Sequence, residues 1–72
     1  METDKWGRRI RAFRKLKGYT QEELARNLKI SVSILGEIER GSRLPTESFL
    51  KEVATLLEIK VDELTPPEDL NE

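Results

Sequence analysis

The chain has neither cysteine nor histidine among its 72 residues. Without cysteine there is no disulfide framework and no thiolate chemistry. With histidine also missing, the usual ligands of a zinc module are gone, so no metal site is expected. The commonest general acid-base group is lost as well, which argues against an enzyme with catalytic residues. Aromatics are scarce, with one Trp, one Tyr and two Phe. That excludes an aromatic cluster for stacking single-stranded bases, so Trp6 and Tyr19 read as core or rim residues. No apolar stretch reaches bilayer length. The N-terminus, Met1-Glu2-Thr3-Asp4, is acidic and lacks the apolar core of a signal peptide. The expectation is a cytoplasmic protein with no membrane partner and no cofactor.

A chain of this length holds one domain and is marginally stable alone, which favours a dimer. The formal net charge is only -1, but its distribution is uneven. Lys5 to Arg43 carries eleven Lys/Arg against four acids, or +7. Leu44 to Glu72 carries two Lys against eight acids, or -6. Such asymmetry fits one side that faces a polyanion and another that does not touch it.

Apolar spacing predicts helices throughout, and no strand pattern is present. Trp6, Ile10 and Phe13, with Lys17 on the same face and Leu16 alongside, predict a first helix over 4–17. Thr3 or Asp4 is placed to cap its start and Gly18 to end it. Arg8, Arg9, Arg11 and Lys15 lie on its opposite face. Thr20-Gln21-Glu22-Glu23 is a capping box that opens a second helix to about Leu28, burying Leu24, Ala25 and Leu28. Ser31 caps a third helix to Arg40, with Leu35 and Ile38 inward and Gly41 at its end. Only Lys29 and Ile30 separate these two helices, so they must cross steeply, as in a helix-turn-helix. Pro45 and Thr46 open a fourth helix to about Glu58. Phe49, Leu50, Val53, Ala54, Leu56 and Leu57 supply its apolar face. A fifth short helix follows Val61 at Asp62 to Leu64, and Pro66 and Pro67 stop it. Residues 1–65 read as the domain, and residues 66–72 as a short acidic disordered tail.

This arrangement resembles the Cro and phage-repressor (Xre-type) helix-turn-helix family. The matching stretches are Trp6 to Arg11, Arg14 to Ala25, Ile30-Ser31, Ile38 to Gly41, Pro45, and Leu57 to Leu64. The resemblance implies an all-α, compact, five-helix, lambda-repressor-like fold. It implies sequence-specific binding of double-stranded DNA through helix three, transcriptional regulation, and a homodimer on a palindromic operator. It also implies that Arg14 and Glu39 form a partly buried salt bridge between helices one and three, which orients more than it stabilises.

Within that frame the residues take roles. Gln21, on the first turn of helix two, is placed for a phosphate, as the matching Gln is in the family. Val32, Ser33, Ile34, Gly36 and Glu37 are the base-reading candidates, on the N-terminal and outward part of helix three. Ser33 can donate or accept, Val32 or Ile34 can meet a thymine methyl, and Glu37 can accept from cytosine N4. For Ile34, one turn from Ile38, core packing is the competing role. Arg40, Ser42 and Arg43 fall where flanking phosphates pass, as does Lys29 in the turn; Arg8 and Arg9 are weaker candidates. Ile59, Val61 and Leu64 are the apolar candidates for a dimer contact.

Two residues depart from the family's habit. An acid at the Glu37 position is unusual, and Gly36 in mid-helix costs about 1 kcal/mol relative to Ala. Together with the acidic second half they keep a rival open. That rival is a protein-interaction module, or an anti-repressor-like partner, that retains the fold without binding DNA.

Overall fold

The computed structural model describes the backbone of residues 2–66 and the side chains of residues 5–66. Five α-helices follow in chain order, α1 (Glu2–Leu16), α2 (Gln21–Leu28), α3 (Val32–Arg40), α4 (Glu47–Leu57) and α5 (Val61–Leu64). There is no strand among the described residues. The fold is the all-α five-helix arrangement expected.

Local chemistry explains most boundaries. The Thr20 hydroxyl accepts from the Glu23 amide at 3.0 Å, and the Glu23 carboxylate accepts from the Thr20 amide at 2.9 Å. Both halves of the capping box are therefore made, and they define the start of α2. Ser31 and Thr46 cap α3 and α4 in the same way, accepting from Ile34 and Phe49 at 3.1 Å each. At the start of α5 the Lys60 amide donates to the Glu63 carboxylate. Gly41 ends α3 in the left-handed region at φ 86°, where a side chain would be strained. Two other helices end in that region without glycine. Lys29 has φ 60° after α2 and Glu58 has φ 59° after α4.

The start of α1 differs from expectation. The helix begins at Glu2, so Thr3 and Asp4 lie within its first turn. Leu16 is also misplaced by its spacing. It lies at the last residue of α1, where no element covers it, and is 74% exposed. Lys17 falls just beyond the helix and is exposed.

The core is drawn from all five helices. Ile10, Leu24, Leu35, Val53, Leu57 and Leu64 are fully buried. Each such side chain contributes roughly 1.5–3 kcal/mol by leaving water. Trp6, Phe13, Tyr19, Ile30 and Phe49 pack against this cluster while partly exposed. Ile30 thus wedges the turn between α2 and α3, as its apolar character at a turn required. Leu64 was a candidate dimer contact, but with no exposed surface it closes the core instead. Ile59 and Val61 are half-buried against the same cluster. Pro66, assigned to the tail by composition, is buried. Residues 67–72 of that tail lie outside the described residues.

α1 crosses α3 at close quarters. A Cβ on Gly7 would lie 2.5 Å from the Glu39 carbonyl oxygen, closer than real contacts allow. Gly7, Ile10 and Arg14 share one face of α1 by their i, i+3, i+7 spacing, and all three are buried. That face fixes the height and tilt at which α3 is held.

Candidate nucleic-acid interface

Helix α3 is buried on one side and open on the other. Leu35 and Ile38 enter the core, whereas Ser31 and Ser33 are exposed and Val32 is 40% exposed. The opening turn of α3 therefore forms a solvent-facing ridge of small and apolar side chains. Lys29, exposed at the preceding turn, and Arg40, Ser42 and Arg43, exposed at the far end, surround that ridge with donors. No described helix is long and apolar enough to cross a membrane.

The pairing that anchors α3 lies beneath this surface. Arg14 Nε donates to Glu39 Oε2 at 2.8 Å, and Arg14 Nη2 to Glu39 Oε1 at 3.3 Å. The third donor, Nη1, reaches the Tyr19 carbonyl at 2.9 Å. The two side chains are only 8% and 3% exposed. Isolated, either charge would be costly to bury; paired and hydrogen-bonded, each is compensated. The bridge joins α1 to α3, as the resemblance implied, and is more deeply buried than expected.

Gln21 belongs partly to this network. Its side-chain amide donates to Glu39 Oε1 at 3.1 Å and is half-buried. The side chain thus turns toward α3 rather than straight into solvent. That hydrogen bond holds the Gln21 side chain in place at the first turn of α2.

Not every base-reading candidate faces outward. Ile34 is half-buried and packs against the core cluster, so its competing structural role holds. Gly36 is buried beneath its neighbours. A Cβ there would lie 2.9 Å from Arg40 Nη1 and 3.7 Å from Gln21 Nε2. Its backbone is covered by the Arg40 guanidinium and cannot itself approach a ligand while that side chain stays in place.

Glu37, the unusual acid, has a partner. Arg43 Nε donates to its carboxylate at 2.8 Å, with the two side chains 52% and 38% exposed. The Ser42 amide and hydroxyl both donate to the Glu37 carbonyl, at 2.9 and 3.2 Å. The loop after α3 is thereby folded back over the end of the helix. The Glu37 charge is thereby offset locally by the Arg43 guanidinium. An exposed pair of this kind contributes little to stability, so its effect is on where Arg43 points.

Sequence reasoning missed two features. Gly7 was passed over, although its place three residues before Ile10 on the α3-facing side of α1 marked a close approach. Arg11 was placed on the face of α1 opposite the apolar one and given no role in the site. Together with Arg8, Gln21, Glu39 and Arg40 it lines an open cleft of about 610 Å³ between α1 and α3.

Comparison with known proteins agrees with this geometry. A family model described as helix-turn-helix matches residues 10–64. The chain belongs to the helix-turn-helix family. It is 66% identical over 68 residues to the uncharacterized HTH-type transcriptional regulator YazB of Bacillus subtilis (strain 168), covering 94% of this chain and 99% of the relative. It is 43% identical over 65 residues to the HTH-type transcriptional regulator SlrR of the same organism, covering 89% of this chain but only 43% of SlrR. Among solved structures, the restriction-modification controller protein C.AhdI from Aeromonas hydrophila superposes with a TM-score of 0.82 at 36% identity. That match covers 88% of this chain and 96% of the other.

Proposed function

We propose that the protein is a sequence-specific, double-stranded-DNA-binding transcriptional regulator that acts in the cytoplasm without catalysis. The observation that carries this reading is the exposed first turn of α3, with Val32 and Ser33 outermost and exposed cations on either side. A helix of this shape fits the major groove, and the surrounding cations answer the phosphates that border it. Family membership and the regulators it resembles support the same reading.

Val32, Ser33 and Glu37 are assigned to base edges. Ser33 exchanges a hydrogen bond, Val32 meets a thymine methyl, and the Glu37 carboxylate accepts from cytosine while Arg43 holds it. Gln21, Lys29, Arg40, Ser42 and Arg43 are assigned to phosphates, with the backbone amides of the first turn of α2 adding to Gln21. Arg14 and Glu39 fix the angle of α3 and touch no ligand. Residues through Pro66 act as one unit. The protein acts as a homodimer whose two α3 helices enter successive major grooves roughly 34 Å apart. Ile59 and Val61, half-buried at the α4–α5 junction, supply its apolar contacts.

In vitro selection from a random duplex pool tests this directly. The expected result is enrichment of one short site with two-fold symmetry. A pool that stays unenriched at low salt would overturn the reading.

A further inference from the structure

Gly36 is the residue that DNA binding by the open turn of α3 leaves unexplained. It sits in mid-helix, where glycine weakens the helix, and no loop or positive φ requires it. Its surroundings supply a reason. Arg40, one turn further on, folds back so that Nη1 lies 2.9 Å from the place a Cβ would occupy. Any larger residue at 36 pushes the guanidinium away from the helix. With glycine, Arg40 lies over the α3 backbone beside Gln21 and faces α1.

On α1 two further guanidiniums wait. Arg8 and Arg11 are exposed, are three residues apart on one face, and line the same cleft as Arg40. Among the described residues the one acid lining the cleft is Glu39, and its oxygens already accept from Arg14 and Gln21. Three cations thus line one open concavity, and the only carboxylate among its described lining residues is committed elsewhere. Their mutual repulsion is relieved by an anion, and the planar guanidinium fork matches a phosphate group.

The geometry points to a phosphate clamp: Arg8, Arg11 and Arg40 together hold a single phosphate of the DNA backbone, and Gly36 is there to let Arg40 join them. The inference rests on the DNA-binding reading and adds to it a defined site shared by α1 and α3. Because the three side chains share one phosphate, they act as a unit.

Binding of a nonspecific duplex at several salt concentrations tests the clamp. The proteins compared are the wild type, the double variant Arg8→Ala/Arg11→Ala, Gly36→Ala, and Lys15→Ala as a charge control outside the cleft. The double variant is expected to lose about tenfold in affinity. Its salt slope should fall by about one unit, the mark of one phosphate. Gly36→Ala should unfold at the same or a higher temperature, since alanine favours the helix, yet bind several-fold more weakly with no charge removed. Lys15→Ala should change little. A double variant that binds like Lys15→Ala, or a Gly36→Ala protein with wild-type affinity, overturns the clamp while leaving DNA binding intact. A slope change of about two units assigns separate phosphates to Arg8 and Arg11 and overturns the shared site. Failure of the wild type to bind duplex at low salt removes the underlying reading instead. Inorganic phosphate, compared with chloride at equal ionic strength, should not raise the wild-type unfolding temperature. A rise that depends on Arg8 and Arg11 would assign the cleft to a soluble phosphate ligand and overturn the DNA source.

Discussion

Gly7 of α1 and Glu39 of α3 meet backbone to backbone, with a Cβ on Gly7 falling 2.5 Å from the Glu39 carbonyl oxygen. The contact lets the guanidinium of Arg14, seven residues on, reach the Glu39 carboxylate. Helix α3 is thus gripped twice by α1, once through its backbone and once through its buried acid.

Gly7→Ala should therefore be among the costliest small changes in the chain. The added methyl meets carbonyl groups that cannot rotate away, so α1 must lift off α3. The expected loss is about 3 kcal/mol, the upper end of ordinary overpacking. Urea unfolding measures it. A loss below about 0.5 kcal/mol, typical of a neutral surface site, would contradict the close approach.

The Arg14–Glu39 pair makes a different demand. Glu39→Gln leaves a buried guanidinium facing a neutral amide, and about 3 kcal/mol of stability should go with it. Replacing both residues, as Arg14→Met with Glu39→Leu, should leave the protein nearer to wild type than either single change. A double-mutant cycle with additive losses would show that the two side chains do not depend on one another.

Glu58 offers the opposite sign. It ends α4 with φ 59°, and its negative charge sits at the helix end where the dipole disfavours it. Glu58→Gly removes both penalties and should add about 1 kcal/mol. For a domain of this size that is a rise of roughly 5 °C in Tm. An unchanged or lower Tm would contradict the left-handed assignment.

Acid sensitivity follows from the α2 cap. The Thr20 amide, then its hydroxyl contact, then nearby Arg26 hold the Glu23 carboxyl below its ordinary value. A carboxylate depressed on folding stabilises the native state above its unfolded pKa, and that contribution is lost as pH falls through the folded value. Glu23→Gln can still accept from the Thr20 amide but does not titrate. Its Tm should fall less steeply than that of the wild type between about pH 5 and about pH 3. Parallel curves would show that the cap carries no linked proton.

How far the sequence alone reached depended on how local each cause is. The Thr20, Ser31 and Thr46 caps and the Gly41 stop are contacts over a few residues, and each was readable from spacing. Arg14 and Glu39, 25 positions apart, were paired only through the family pattern. Leu16 and Leu64 were misread for one reason: apolarity does not say which neighbour covers a residue. Leu16 sits at a helix end that nothing overlies, and Leu64 drops into the core from a four-residue helix. Lys29 and Glu58 adopt left-handed backbone that their side chains do not advertise. Gly36 stood out in the sequence, but the reason lies in Arg40 and Gln21, which only the tertiary structure places around it.

The central claim is that the open side of α3, with the start of α2, is the surface laid against duplex DNA. Backbone-amide NMR mapping, with a selected duplex added stepwise at low salt, tests it most directly. The largest shifts are expected at Gln21, at Val32 and Ser33, and along Arg40 to Arg43, with α4 unmoved. Shifts confined to the groove between α2 and α4, around Leu28 and Leu56, with α3 unchanged, would contradict it.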